Sequence, residues 1–253
     1  MLDRILWALA LSAWLVALSL LLVAWRRGQR RPRQVALGFM LLGSGLSLAA
    51  LLWRSAMGHY LPLASPGEMF FGLALMMVAI LVWLQRGRSP ALYGGLGVGI
   101  AVLLQAAILA VPAWPPVGGE PLAVWGALAR WTTLLGLAAF GNLAAFAALA
   151  ALKQVGDQRP WAERLLPPGG AGVSRWLRRA TMVGLALGTA LLYSRLWWGW
   201  GGVQSWRMNW LWLVWLLLLA GFWLRFVWPQ RRLTSNLLTI ASFICALPAL
   251  LVL

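Results

Sequence analysis

Long apolar stretches separated by short polar, glycine- or proline-containing connections run through the whole sequence. Eight of them are long enough, or nearly so, to cross a bilayer core, which takes about 20 helical residues. They cover residues 5–25, 35–53, 67–85, 91–112, 128–152, 179–198, 208–228 and 234–253. Continuous apolar runs of this length predict helices, because barrel strands alternate apolar and polar residues in shorter segments. We therefore expect an all-α, polytopic transmembrane bundle of about eight helices, forming one membrane domain over residues 1–253.

Composition supports this class of protein. The chain is 62% hydrophobic and only 10% charged, with a mean hydropathy of +0.81, whereas soluble domains carry about 25% charged residues. The first apolar stretch is longer than the core of a signal peptide, and arginines follow it where a small-residue cleavage site would stand. We predict that 5–25 is a retained first helix.

The distribution of basic residues predicts the orientation of the chain. With the N-terminus outside, 16 of the 21 basic residues fall on the inner side. The five that remain outside are Arg4, Arg54, Arg130, Arg195 and Arg207. Basic residues favour the cytoplasmic side of membrane proteins, so we expect both termini and the 199–207 loop on the outer side of a bacterial cytoplasmic membrane.

The net charge of +16 therefore follows from topology, and nucleic acid is not an expected partner. The partner that the charge pattern predicts is the lipid bilayer. The cluster RRGQRRPR at 26–33 sets the orientation under this interpretation. A secondary role for that cluster in binding anionic lipid stays open.

The residues of common catalytic sites are missing from the sequence. It has five acids and one histidine, and contains no HExxH, Walker loop or Ser–His–Asp set. None of the acids falls in the middle of a predicted helix, so hydrolysis, phosphoryl transfer and proton pumping through carboxylates are poorly supported. We assign no catalytic residue. A transporter or channel is also disfavoured, because no internal repeat is evident.

The single histidine lies in a polar connection between two apolar stretches. His59 is followed by Tyr60 and by a segment from Pro62 to Glu68 that opens the third helix. Glu68 falls in the first turn of that helix, where a negative charge suits the positive end of the dipole. His59 is either an ordinary interfacial histidine or an axial ligand to haem iron, a common role for imidazole.

Tryptophan is concentrated in one segment. Nine of the 19 tryptophans fall between Trp197 and Trp228. The membrane interface attracts tryptophan, but a belt of that kind accounts for only two or three at each helix end. A glycine-punctuated run of this density indicates a surface for a large flat partner.

Both segments resemble parts of one family. HYLPLASPGE at 59–68 resembles the H-F-P-L-S-N-L-Y-E segment of the CcsA-type cytochrome c assembly proteins, which move haem to the outer face of the membrane and present it to apocytochrome c. The tryptophan segment is similar to their W-G-x-Y-W-x-W-D-P-K-E-x-W signature. Anchored on Trp198–Gly199, the match recurs at Trp210, Trp215 and Arg225. The resemblance covers roughly 55–250, agrees with the family's eight-helix layout, and suggests a divergent, HemX-like member.

The resemblance implies haem as the cofactor and cytochrome c assembly proteins as partners. His59 would be the metal ligand, Arg207 and Arg195 would pair with the propionates, and a tryptophan wall would stack on the porphyrin. The implied cofactor-binding residues are His59, Trp197, Trp198, Trp200, Trp206, Arg207 and Trp210.

The sequence also departs from the family's pattern. Ser205 stands for the motif's Asp, Trp206 for its Pro and Met208 for its Glu, while Trp223 occupies the position of a histidine that binds haem within the membrane. The family's external histidines are missing too, because the chain has one histidine. A second hypothesis therefore stands beside haem presentation. In it, the chain is a non-catalytic structural or accessory subunit of a larger membrane energy-converting complex, built on the same scaffold.

Overall fold

The described part of the chain folds as eight α-helices. The computed structural model describes residues 2–58, 63, 65–86, 91–110, 123–156, 170–199 and 205–248, and these ranges contain no strand. The helices are α1 Leu2–Arg27, α2 Arg30–Gly58, α3 Pro66–Arg86, α4 Ala91–Ala110, α5 Ala123–Val155, α6 Gly170–Gly199, α7 Ser205–Val227 and α8 Arg232–Ala246, with a 3₁₀ turn at Pro229–Arg231. The predicted all-α class is confirmed.

Most of the helices extend beyond the predicted apolar stretches. For example, the stretch 128–152 lies inside α5, and 179–198 lies inside α6. A membrane helix continues through the headgroup layer, where polar residues are tolerated, so hydropathy alone predicts helices that are too short. The predicted stretch 234–253 falls in α8, but its residues after Pro248 lie outside the described part of the chain.

Length and apolar composition support a membrane-spanning protein. Four described segments are long and apolar enough to cross a bilayer, namely Asp3–Arg27, Arg30–Gly58, Gly67–Leu84 and Arg130–Val155. Shorter apolar segments lie in three other helices, at Ala91–Ala107, Leu213–Leu224 and Arg232–Ala246. The chain is accordingly an integral membrane protein in type, while the side on which its termini lie stays a prediction.

A tight turn joins the first two helices. Gly28 follows the last residue of α1 with φ +64°, the left-handed conformation that commonly closes a helix and that glycine adopts without steric cost. Arg26 and Arg27 stand in the last turn of α1, where positive charge complements the helix dipole. The two helices therefore form an antiparallel hairpin.

Successive helices pack side by side, and α5 lies among them. The pairs α1/α2, α3/α4, α5/α6 and α7/α8 are in contact, and α5 also packs against α3 and α8. Trp215 of α7 donates a hydrogen bond to Thr189 of α6 at 3.1 Å. Both residues lie ten positions from the α6–α7 connection, as expected for another antiparallel pair. We call the two ends of the bundle the α1–α2 end and the α2–α3 end, after the connections they contain. The α6–α7 connection belongs to the α2–α3 end.

Small residues bring α5 and α6 into close contact. A Cβ added to Gly136 would lie 2.6 Å from the backbone carbonyl carbon of Gly184, and one added to Gly184 would lie 2.5 Å from the Cα of Gly136. Small residues at a crossing allow helix backbones to approach and gain van der Waals contact in lipid, where the hydrophobic effect between helices is weak. This crossing sets the position of α6 on the central helix.

Buried hydrogen bonds add specificity to the apolar core. Asn142 of α5 donates to the carbonyl oxygens of Met77 at 3.2 Å and Ala138 at 2.9 Å. Tyr93 of α4 donates to the carbonyl oxygen of Asn142 at 3.4 Å. Both side chains are fully buried. Because an unsatisfied polar group in hydrocarbon is costly, these bonds favour one register of α3, α4 and α5.

The glycine crossing makes a direct prediction about stability. We expect Gly136→Ala to lower the free energy of unfolding by about 2 kcal/mol, because the added methyl group meets backbone atoms that cannot rotate away. Gly99→Ala is a matched control, since its added Cβ has no atom within 4 Å. Unfolding in detergent micelles measures both variants. Equal stability of the two would contradict the proposed crossing.

Candidate functional site

A buried ion pair joins the two helices on either side of the His59 segment. Arg54 stands in the last turns of α2 and Glu68 in the first turn of α3. The Nε atom of Arg54 lies 3.1 Å from Oε1 of Glu68. The Glu68 side chain is completely buried and the Arg54 side chain is 19% exposed. A carboxylate removed from solvent needs such a partner, because an isolated buried charge is strongly disfavoured.

Local sequence explains how α3 begins at this point. The Oγ of Ser65 accepts a hydrogen bond from the Glu68 N–H at 3.3 Å, and the Ser65 carbonyl accepts one from the Met69 N–H at 3.1 Å. Ser65 is thus the N-cap, Pro66 occupies the first helical position that proline favours, and Glu68 stands three residues after the cap. The Ser-Pro-Gly-Glu sequence places the Glu68 side chain at the top of the helix, toward α2.

Leu63 anchors the connection from the other side of the ion pair. It has φ +72° and is fully buried. A Cβ on Gly72 would come within 2.6 Å of its Cδ2, so the missing side chain at Gly72 makes room for Leu63. The left-handed conformation costs a leucine about 1 kcal/mol, and burial of its side chain offsets that cost.

Two aromatic rings and an amide complete the site. The guanidinium carbon of Arg54 lies 5.5 Å from the ring centroid of Trp7, and that ring lies 4.9 Å from the ring of Phe71. Gln105 of α4 donates to the Trp7 carbonyl oxygen at 3.0 Å. We call the whole set the α2–α3 cluster. Its members are Trp7, Arg54, Ser65, Glu68, Phe71 and Gln105, and they join α1, α2, α3 and α4 at one end of the bundle.

Some members of this site were not recognisable as functional candidates in the sequence. Trp7 and Gln105 occur within apolar stretches, and Arg54 appeared only as one of five basic residues on the outer side. The available signal was the rarity of acids. In a chain with five carboxylates, one that starts an apolar helix requires a cation nearby, and Arg54 is the preceding basic residue.

Arg130 adds a second buried guanidinium at this end. It is the eighth residue of α5 and is only 5% exposed. A guanidinium always carries its charge and offers five donors in a planar fork. The α2–α3 end therefore holds the buried Arg130 beside the Arg54–Glu68 pair, and the partly buried Asp3 lies close enough to Arg54 to interact with it electrostatically.

The predicted haem-binding residues fall mainly where the structure gives no side chains. His59 and Trp200 lie outside the described residues. Trp197 and Trp198 belong to the last turn of α6, whereas Trp206, Arg207 and Trp210 belong to the first two turns of α7. Only their backbone is described, so the roles assigned to these seven residues stay predictions. What the fold establishes is that α6 and α7 carry the tryptophan segment across one helix–helix connection.

Trp223 is the residue that the resemblance would align with a haem-binding histidine. Its side chain is 60% exposed on the surface of the bundle. Its ring lies 6.0 Å from that of Trp228 in an edge-to-face arrangement with an interplanar angle of 74°. In this chain that position faces the surroundings of the bundle and does not point into a haem-sized interior site.

Comparison with protein-family models, with curated proteins and with solved structures finds no match to this chain. Within the described ranges, no group of three or more His, Cys, Asp or Glu residues is placed to hold a metal ion.

We predict that breaking the Arg54–Glu68 ion pair destabilises the protein more than removing both of its charges together. We expect Glu68→Gln to lower the free energy of unfolding by about 3 kcal/mol, the lower end of the usual range, because Arg54 retains some contact with solvent. Unfolding of the purified protein in detergent measures this. The double variant Arg54→Met, Glu68→Leu is the control and should recover most of the loss, since it removes both charges. If the double variant lost as much free energy of unfolding as Arg54→Met and Glu68→Leu lose together when measured singly, the two residues would not be coupled.

Proposed function

We propose that this chain handles haem in the manner of cytochrome c assembly proteins, binding it at the α2–α3 end and presenting it on the outer face of the membrane. The observation that carries the proposal is the shared location of the two segments that resemble that family. His59 lies in the α2–α3 connection, and the part of the tryptophan segment from Trp197 to Trp210 flanks the α6–α7 connection. In an antiparallel bundle these connections belong to the same end, so their residues face one side of the membrane.

The donor set of the chain fits haem held by one imidazole. With a single histidine, a pair of histidine ligands is excluded, and His59 is the one imidazole available to iron. Bound haem would contribute iron, a flat apolar ring and two carboxylates. Tryptophan rings supply flat contact area with little loss of entropy, and the forked guanidinium of Arg207 or Arg195 is suited to a propionate.

The α2–α3 cluster supports the proposal by holding both ends of the His59 segment. Arg54, which pairs with Glu68, lies four residues before the end of α2, where the segment begins. On its way to α3, the segment is held in the core by the buried Leu63. A ligand-bearing segment that is anchored on both sides loses less conformational entropy when it binds. Weakening the anchor should therefore lower the affinity for a ligand bound by His59, although no ligating atom is removed.

Haem binding is tested by titrating the purified full-length protein with haem and following the Soret band. We expect the wild-type protein to shift the band, and His59→Ala to bind haem at least tenfold more weakly, because the iron loses its protein ligand. Absence of any Soret shift with the wild-type protein would contradict the proposal.

Tryptophan variants provide the matched control for this titration. Trp198→Leu should weaken haem binding, because it removes a ring from the proposed stacking surface. Trp83→Leu should not, because Trp83 is an exposed tryptophan near the end of α3, at the opposite end of the bundle. Equal effects of the two variants would indicate general destabilisation.

The second candidate function is that of a structural or accessory subunit. The observation favouring it is the outward position of Trp223 and its neighbours, since Phe226 is 88% and Trp228 48% exposed. Aromatic surfaces of this kind serve as contacts for other membrane helices as well as for lipid. The loss of the motif's Asp, Pro and Glu beside retained tryptophans also fits a scaffold whose packing role is maintained.

The accessory-subunit hypothesis predicts stable association with other membrane proteins. Isolation in a mild detergent should then yield a complex, and Trp223→Ala with Phe226→Ala should release this chain from it, because both remove buried contact area. Leu103→Ala is a suitable control, since Leu103 is 70% exposed on α4. Recovery of the wild-type chain as a free monomer alone would count against this function.

A further inference from the structure

A dense group of arginines lies where α1 turns into α2. Only two residues separate the two helices, so the Cα atoms of Arg27 and Arg30 are at most about 11 Å apart. All the side chains of the group are exposed or partly exposed. We call the group the hairpin arginines, and its members are Arg26, Arg27, Arg30, Arg31 and Arg33.

No described carboxylate lies beside the hairpin arginines. The two carboxylates in the described ranges, Asp3 and Glu68, stand in the first turns of α1 and α3, at the opposite end of the bundle. Arg30 and Arg33 lie close enough to each other to repel electrostatically. The described part of the α1–α2 end therefore carries a concentrated positive charge that no described carboxylate neutralises.

Three of the hairpin arginines stand where the helix itself disfavours them. Arg30, Arg31 and Arg33 are among the first four residues of α2, and its first turn contains no acidic residue. The N-terminus of a helix carries partial positive charge, which favours anions and disfavours cations. Orientation in the membrane requires basic residues on one side, but arginines placed elsewhere on that side would serve it equally well. A bound anion would offset both the dipole and the mutual repulsion.

Lipid-exposed apolar side chains begin close to the hairpin arginines on both helices. Val23 of α1 is 37% exposed and lies four residues before Arg27, whereas Val35 of α2 is 51% exposed and lies five residues after Arg30. These separations correspond to about 6 and 7.5 Å along the helix axes. The arginines thus lie at the edge of the hydrocarbon layer, where long basic side chains reach the phosphate level. This depth favours a lipid headgroup over a soluble macromolecule.

We propose that the hairpin arginines bind the phosphate of an anionic phospholipid as a specific lipid site. Guanidinium groups match phosphate oxygens through paired hydrogen bonds, and basic clusters next to membrane helices attract anionic headgroups. The exposed Val23 and Val35 would contact the acyl chains. Phosphatidylglycerol suits the site better than phosphatidylcholine, because no described carboxylate is placed to receive a choline ammonium.

The test compares two pairs of arginines at the same end of the purified full-length protein. Phosphatidylglycerol binding is counted by native mass spectrometry for the wild type, for Arg30→Gln with Arg31→Gln, and for Arg175→Gln with Arg179→Gln. The second pair is exposed on α6 and changes the net charge equally. We expect the first double variant to bind about tenfold more weakly, the scale of a charge-assisted hydrogen bond, and the second to stay within threefold of wild type. Equal weakening by both pairs, or none by the first, would overturn the site.

Thermal unfolding of the same variants gives a second readout. In lipid-free detergent, Arg30→Gln with Arg31→Gln should be at least as stable as the wild type, because it removes cations from the positive end of the α2 dipole. Phosphatidylglycerol should then raise the unfolding temperature of the wild type more than that of the variant. An equal rise in both proteins would contradict the proposal. If this variant fails to fold, Arg26→Gln with Arg27→Gln takes its place, with the same weakening of lipid binding expected.

The wild-type protein alone identifies the source of the phosphate. Its thermal unfolding is followed with phosphatidylglycerol, with phosphatidylcholine, and with sodium phosphate against sodium chloride at equal ionic strength. Protection by phosphatidylglycerol alone supports a lipid headgroup. Comparable protection by sodium phosphate would assign the patch to a soluble anion, and comparable protection by phosphatidylcholine would assign it to lipid in general. Either result, or no protection at all, overturns the proposed site.

Discussion

The position of every other element depends on how α5 packs within the bundle. This helix contacts α3, α4, α6 and α8, and its closest contact is the backbone crossing with α6 at Gly136 and Gly184. In lipid, helices gain little from excluding solvent, and association depends on close van der Waals contact and on buried hydrogen bonds. The α5–α6 crossing provides the first, and Asn142, also on α5, provides the second. Without this helix, α6 and the α7/α8 hairpin would lose their contacts with the α3/α4 pair, on which α1 and α2 pack.

Buried polar groups give the bundle two ends with different chemistry. At the α2–α3 end, Arg54 and Glu68 form a neutral pair beneath the connection that carries His59. At the α1–α2 end, Arg178 stands beside the buried Ser235 and Asn236 between α6 and α8. Under the proposed function, the anchored α2–α3 end would carry the imidazole ligand, and flanking arginines would pair with the haem carboxylates.

In the proposed function, the Arg54–Glu68 ion pair positions the haem surface and does not contact the haem. Glu68 does not reach a ligand in this proposal. It fixes where α3 begins, and Leu63 fixes where the connection enters the core. Residues of this kind affect binding through the entropy of the segment they hold. That is why variants at the ion pair and at His59 separate two contributions, the anchoring of the segment and the bond to iron.

Much of the architecture could be predicted from the sequence, because in a membrane local composition restricts the structure strongly. A run of about 20 apolar residues has no other way to satisfy its backbone hydrogen bonds in lipid than to form a helix. The all-α class and the approximate location of each helix followed from that. So did the start of α3, since Ser65 and Pro66 are local signals for an N-terminus. The tryptophan concentration between Trp197 and Trp228 was likewise a property of the sequence.

Other features were decided only by tertiary structure. The partners of Glu68 and Trp7, the outward position of Trp223 and the position of Arg178 beside α8 depend on which helices become neighbours. Hydropathy does not encode which helices become neighbours, because all eight stretches are apolar and resemble one another in this respect. Neighbours are selected by close contacts such as Gly136 with Gly184 and by hydrogen bonds between residues far apart in sequence. The sequence by itself therefore determined the helices and the inventory of polar groups, and packing determined which of those groups meet, because short-range contacts depend on geometry that no single helix contains.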